Sequence, residues 1–185
     1  MRQLLPFSVA ALLLMPFAIS DNVSASAAEK AKDAEAEIRD ALAELPSADR
    51  AAAVAQRYCA VQTGHRLGSM GAPAKVMVAG QPVFVCCRGC NKKAAADPKA
   101  TLAAVKKLKK IAASLAKLSD EDRKLAEAQR FCAVAEKNRL GSMGKPVKLM
   151  IGGEPVFLCC AGCADEAKAH PRETLAKAKE LKEAK

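Results

Sequence analysis

The sequence predicts an α+β protein of two small repeated domains, each running helix, loop, β-hairpin, helix, with a helix joining one to the other. Three observations predict it. Residues 45–112 align with 118–185 without a gap, and about half the positions are identical. The eight cysteines fall into two equal sets, each a lone cysteine, a 26-residue spacer and a Cys-Cys-x-x-Cys block, offset by 73 residues. Hydrophobic spacing within each copy passes from a helical to an alternating pattern and back. The period is longer than that of solenoid repeats, so the reading is two domains and not an array.

The elements follow in order. Arg2, the apolar run Leu4 to Ile19 and the small residues Val23-Ser24-Ala25-Ser26-Ala27-Ala28 make the three parts of an export signal. Residues 1–27 are expected to be removed, with cleavage after Ala27 or one residue later, which places the mature chain in the periplasm or outside the cell. The apolar run has 16 residues and contains Pro6 and Pro16, too short and broken for a comfortable span. Nothing downstream is apolar for long enough to cross a bilayer. Residues 28–45 predict a charged helix with Ile38, Ala41, Leu42 and Leu45 on one stripe.

The first repeat, residues 46–117, opens at Pro46-Ser47, where Ser47 can cap a helix running to about Tyr58. In the second repeat, residues 118–185, Ser119 takes that role, and Asp122 three residues on resembles a capping box. Next comes a glycine-punctuated loop, Gly64 to Pro73. Residues 74–79 and 83–87 alternate like strands around a turn at Ala79-Gly80-Gln81. Gly152-Gly153-Glu154 is a better turn at the matching place. Gly89-Cys90 opens a short helix that stops at Asp97-Pro98. A longer helix follows, with Leu102, Val105, Leu108, Ile111 or Ala112, and Leu115 on one face.

Charge and composition narrow the function. Residues 28–45 carry six acids and three bases. Residues 46–117 carry thirteen bases and two acids, and residues 118–185 thirteen bases and eleven acids. The plain reading is lysines solvating helix faces; the sharper one is an acidic surface on an envelope protein partner. Nucleic acid is not expected for an exported chain whose only aromatics beyond the signal are Tyr58, Phe84, Phe131 and Phe157. Repeats of about 70 residues with so few large side chains need a staple, metal or disulfide.

The cysteines supply that staple. Cys59 joins Cys86, Cys87 and Cys90; Cys132 joins Cys159, Cys160 and Cys163. Four thiols closing on one point suit a tetrahedral soft-metal site. A strand running into a helix at Cys90 gathers sulfurs at one corner, where the helix N-terminus favours thiolate. Strand neighbours point to opposite faces, so Cys86 and Cys87 can both bind only if the strand has already turned. A three-sulfur site of Cys59, Cys86 and Cys90 stays open. So does the rival reading, in which an exported chain pairs four cysteines per domain as two disulfides and carries no metal. Cys87-x-x-Cys90 also has the spacing of a thiol-exchange motif, without the βαβ pattern such enzymes use. His65 and His170 do not occupy matching positions and no acid pair recurs beside the cysteines, so hydrolytic or transfer catalysis is not expected.

The run Phe84-Val85-Cys86-Cys87-Arg88-Gly89-Cys90, followed by Asp97-Pro98 and a helix, resembles the TRASH and YHS domains. The resemblance covers both repeats but not residues 28–45. It implies a zinc-ribbon or treble-clef-like fold that binds, senses or traffics heavy metal. Carried over, its pattern marks Cys59, Cys86 and Cys90, and Cys132, Cys159 and Cys163. The chain departs from the pattern in its longer spacer, in Cys87 and Cys160 where serine is common, and in Ala94 and Ala167 where an aromatic is common. Zn(II) is the first expectation for the metal and Cu(I) the second. Met70, Met77, Met143 and Met150 recur in both copies; their plain role is packing, and thioether help to a Cu(I) site is the alternative.

Overall fold

A computed structural model describes residues 22–183, with side chains from residue 33 onward. The expected export signal lies for the most part outside the described residues. Seven helices and two antiparallel two-stranded sheets give an α+β architecture among the described residues. None of these helices is long and apolar enough to cross a membrane.

The order is α1 (Asn22–Ala43), α2 (Ser47–Gln56), β1 (Ala74–Val78), β2 (Gln81–Val85), α3 (Asn91–Ala96) and α4 (Pro98–Leu115). The second half follows with α5 (Asp120–Gln129), β3 (Val147–Ile151), β4 (Glu154–Leu158), α6 (Gly162–Ala169) and α7 (Pro171–Glu183). A 3-10 turn, Arg88–Cys90, precedes α3.

Local chemistry accounts for most boundaries. Pro46, not Ser47, is the residue before α2, and no side chain caps that end. Ser119 does cap α5, its hydroxyl accepting from the Asp122 amide at 3.2 Å. The Asp122 carboxylate reaches Lys148 at 2.7 Å instead of closing the capping box. Asp97 caps α4, accepting from the Ala100 amide at 2.9 Å, with Pro98 in the first turn. The hairpins are shorter than their sequence pattern, because both strands end before the cysteines. Ala79 and Gly80 form a two-residue turn with φ of 48° and 78°; Gly152 and Gly153 match it at 60° and 82°.

Two cores form. Val83, Phe84, Val85 and Leu67 centre the first; Val156, Phe157, Leu158 and Leu140 centre the second. The long α4 serves both: Val105 packs into the first core, while Leu108, Ile111 and Leu115 pack into the second. Its C-terminal half therefore does for the second repeat what α1 does for the first. A Cβ at Gly68 would meet the Ile38 carbonyl at 2.8 Å; one at Gly141 would meet that of Ile111 at 2.9 Å. Ile38 and Ile111 stand one repeat length apart. Both glycines have φ near 90° and lie against helix backbone, so glycine is required twice over at each.

A buried carboxylate helps clasp the repeats together. Glu127, its side chain only 7 % exposed, is held by Arg57, whose Nη2 lies 2.8 Å from Oε2. The Tyr58 hydroxyl donates to Glu127 at 3.1 Å, and Arg66 approaches at 3.5 Å. Arg139 stacks over the Tyr58 ring, 4.2 Å from its centroid. Tyr58 belongs to the first repeat by sequence, yet it is buried in the second core. Burial and the Glu127 charge together raise its phenol pKa.

Candidate metal centre

Each Cys-Cys-x-x-Cys block sits just past a hairpin. β2 ends at Val85, and Cys87 is extended (φ −159°, ψ 163°) before the chain tightens into the 3-10 turn. The strand has thus ended where the two adjacent cysteines begin, so both sulfurs can point to the same corner. The Cys90 amide closes the turn on the Cys87 carbonyl at 3.1 Å. Cys59 arrives from the other side, on the segment leaving α2, its amide bonded to the His65 carbonyl at 2.9 Å.

A residue pair missed in the sequence brings the two sides together. Gln56 is buried, donating to the carbonyls of Tyr58 (2.8 Å) and Phe84 (2.5 Å) and accepting from the Phe84 amide (3.0 Å). It covers the outer edge of β2 and ties the Cys59 segment to the strand that delivers Cys86. Gln129 repeats the bracket on Phe131 (2.8 Å) and Phe157 (2.6 and 2.9 Å). The available signal was a glutamine identical in both copies, three residues before each lone cysteine.

The sulfurs of Cys59, Cys86 and Cys90 all lie within 4.8 Å of one another, as do those of Cys132, Cys159 and Cys163. Cys86 and Cys90 stand 3.9 Å apart, and Cys159 and Cys163 3.7 Å. Cys87 stands at the rim, 4.0 Å from both Cys86 and Cys90. Cys160 stands likewise, 3.9 Å from Cys159 and from Cys163. Sulfurs at Zn–S length around a tetrahedral ion are about 3.8 Å apart, so each group of three suits such an ion, with Cys87 and Cys160 outside the group. No cysteine is in a disulfide, and these separations are nearly twice an S–S bond.

Electrostatics divide the thiols. Burial, then the neighbouring sulfurs, push Cys86, Cys90, Cys159 and Cys163 upward. Cys87 is lowered, first by the Gly89 amide, and Cys160 first by the Cys163 amide. For Cys132 burial acts upward, but backbone amides led by Ala135 outweigh it and the net shift is down. Each cluster therefore combines a thiol whose ionised form backbone amides favour with thiols whose protons a bound cation would displace.

The histidines stay out. His65 is exposed and offers Cys59 only its carbonyl; the His170 ring lies on the surface beside Glu166 and Glu173. The methionines do not pack, as the plain sequence reading had them. Met70, Met77, Met143 and Met150 are 55–59 % exposed. Beside the second cluster runs an open groove of about 1090 Å³, lined by Leu108, Phe131 and Asn138 and by Lys106, Lys107, Lys110 and Lys137. Among the described residues none of these four lysines pairs with an acid.

No protein-family model, curated protein or solved structure matches the chain.

Proposed function

We propose that the chain is a non-enzymatic protein that binds a thiophilic ion at each cysteine cluster, Zn(II) first and Cu(I) second, for buffering, sensing or handing over the metal. One observation carries the reading. Two repeats that have diverged to about half identity both assemble three sulfurs within 4.8 Å of one another and a fourth at the rim. Cys59, Cys86 and Cys90, and Cys132, Cys159 and Cys163, would hold the ion, with Cys87 and Cys160 completing four sulfurs or receiving the metal at the edge. A bound dication would cancel the thiolate charges and fasten the Cys59 segment to the hairpin corner, so cargo and staple are compatible roles. The TRASH and YHS resemblance, with its treble-clef-like fold, supports the same reading, and the N-terminal signal supports a periplasmic or secreted setting. The four unpaired lysines at the groove favour an envelope partner with an acidic surface, whose association would weaken with salt.

Co(II) titration of the reduced full chain tests this. Two equivalents should bind with the intense thiolate-to-metal absorption of sulfur-rich sites. Cys59→Ser should lose one equivalent. Cys87→Ser should weaken the first site sharply if four sulfurs bind, and barely if three do. Absence of thiolate-to-metal absorption would leave the disulfide-stapled module as the better reading.

A further inference from the structure

The four exposed methionines are not equivalent. Met77 and Met150 lie beside the hairpin turns, opposite Pro82 and Pro155 in the register. Cys159 follows Pro155 by four residues, so Met150 stands roughly 13 Å from it along the strand. Met143 stands elsewhere. The Asn138 side-chain amide donates to the Met143 thioether at 3.8 Å and to the Cys159 sulfur at 3.8 Å. One amide nitrogen is all that separates the thioether from the cluster.

The loop fixes that position. Met143 sits between Gly141 and Gly144, with φ of 88° and 118°. Gly141 is pressed against the Ile111 backbone, and the Ser142 amide and hydroxyl both donate to the Arg139 carbonyl. Gly68-Ser69-Met70-Gly71 repeats the turn in the first half, pressed against Ile38. Each repeat thus holds a thioether, 59 % and 56 % exposed, at the tip of an anchored turn upstream of the hairpin.

We propose that Met143 is a landing ligand for a soft monovalent ion, Cu(I) or Ag(I), at the mouth of the second cluster, and that Met70 has the same place on the first. The proposal rests on the cysteine clusters binding metal and deepens it. A thioether is neutral and soft, so it coordinates Cu(I) and Ag(I) and offers little to Zn(II). The ion would bind Met143 from solvent and pass to Cys159 and its neighbours by ligand exchange. No electron moves, and each incoming thiolate releases any proton it carries. Asn138 is the positioning residue, and the first repeat has His65 there, so Met143 should be the better placed of the two.

The test is Ag(I) titration of the reduced full chain with methionine methyl groups labelled for NMR, followed in parallel by thiolate-to-metal absorption. The Met143 and Met70 methyls should shift within the first two equivalents, while Met77 and Met150, equally exposed, stay in place. Met143→Leu should slow Ag(I) loading of the second site about tenfold and leave Zn(II) affinity unchanged. An unmoved Met143 methyl, or four methyls moving alike, overturns the inference while thiolate absorption keeps the cysteine site standing. Absence of that absorption overturns both.

Discussion

Replacing Gln56 by leucine tests how the fold assembles the first cluster. Leucine has similar bulk and no polar atoms, so the change removes three buried hydrogen bonds. The Phe84 carbonyl keeps a second donor, the Ala60 amide at 3.3 Å. The Phe84 amide and the Tyr58 carbonyl lose their side-chain partner. Two such buried groups cost about 3 kcal/mol. The loss falls between the Cys59 segment and the strand leading to Cys86, so the first site should also bind metal at least tenfold more weakly, about 1.4 kcal/mol. Denaturant unfolding of the metal-free chain measures the first effect, and competition with a chromophoric chelator measures the second. A stability change under about 0.5 kcal/mol with unchanged metal affinity would refute the bracket as the device that sets the site.

Three further outcomes follow. Glu127→Val, which installs the residue that Val54 supplies in the first repeat, should cost about 3 kcal/mol by stranding Arg57 and freeing Tyr58, and should split one unfolding transition into two. Ala79→Gly should raise stability by about 0.5 kcal/mol, because an alanine at φ 48° carries strain that glycine lacks; thermal unfolding reads it. Metal affinity should tighten as pH rises through neutrality. Cys86, Cys90, Cys159 and Cys163 have raised pKa values and so keep their protons there, and each proton displaced adds up to about tenfold per pH unit. Calorimetry in two buffers counts those protons.

The candidate site was legible because its determinants are local and duplicated. Cys86 and Cys90 are four residues apart, and the internal copy assigned each block its own distal cysteine. The hairpins, the break at Asp97-Pro98 and the Ile38 stripe were legible for the same reason: each is written in a short window. What stayed hidden depends on contacts between distant segments. A helical stripe shows that Val105 and Leu115 share a face but not that α4 changes cores between them. A glutamine repeated in both copies looks solvated until the edge of β2 lies against it. Glu127 and Tyr58 differ from their counterparts Val54 and Phe131 and meet across the junction between repeats, which has no internal copy to compare. The methionine recurrence resembled packing, and only the structure shows these side chains exposed among the described residues.

Metal content and thiol count of the full chain, purified reduced and without added metal, test the central claim most directly. The account predicts two thiophilic ions per chain by native mass spectrometry and eight titratable thiols after denaturation with chelator. A metal-free chain with four disulfides, and no metal uptake after reduction, would contradict it.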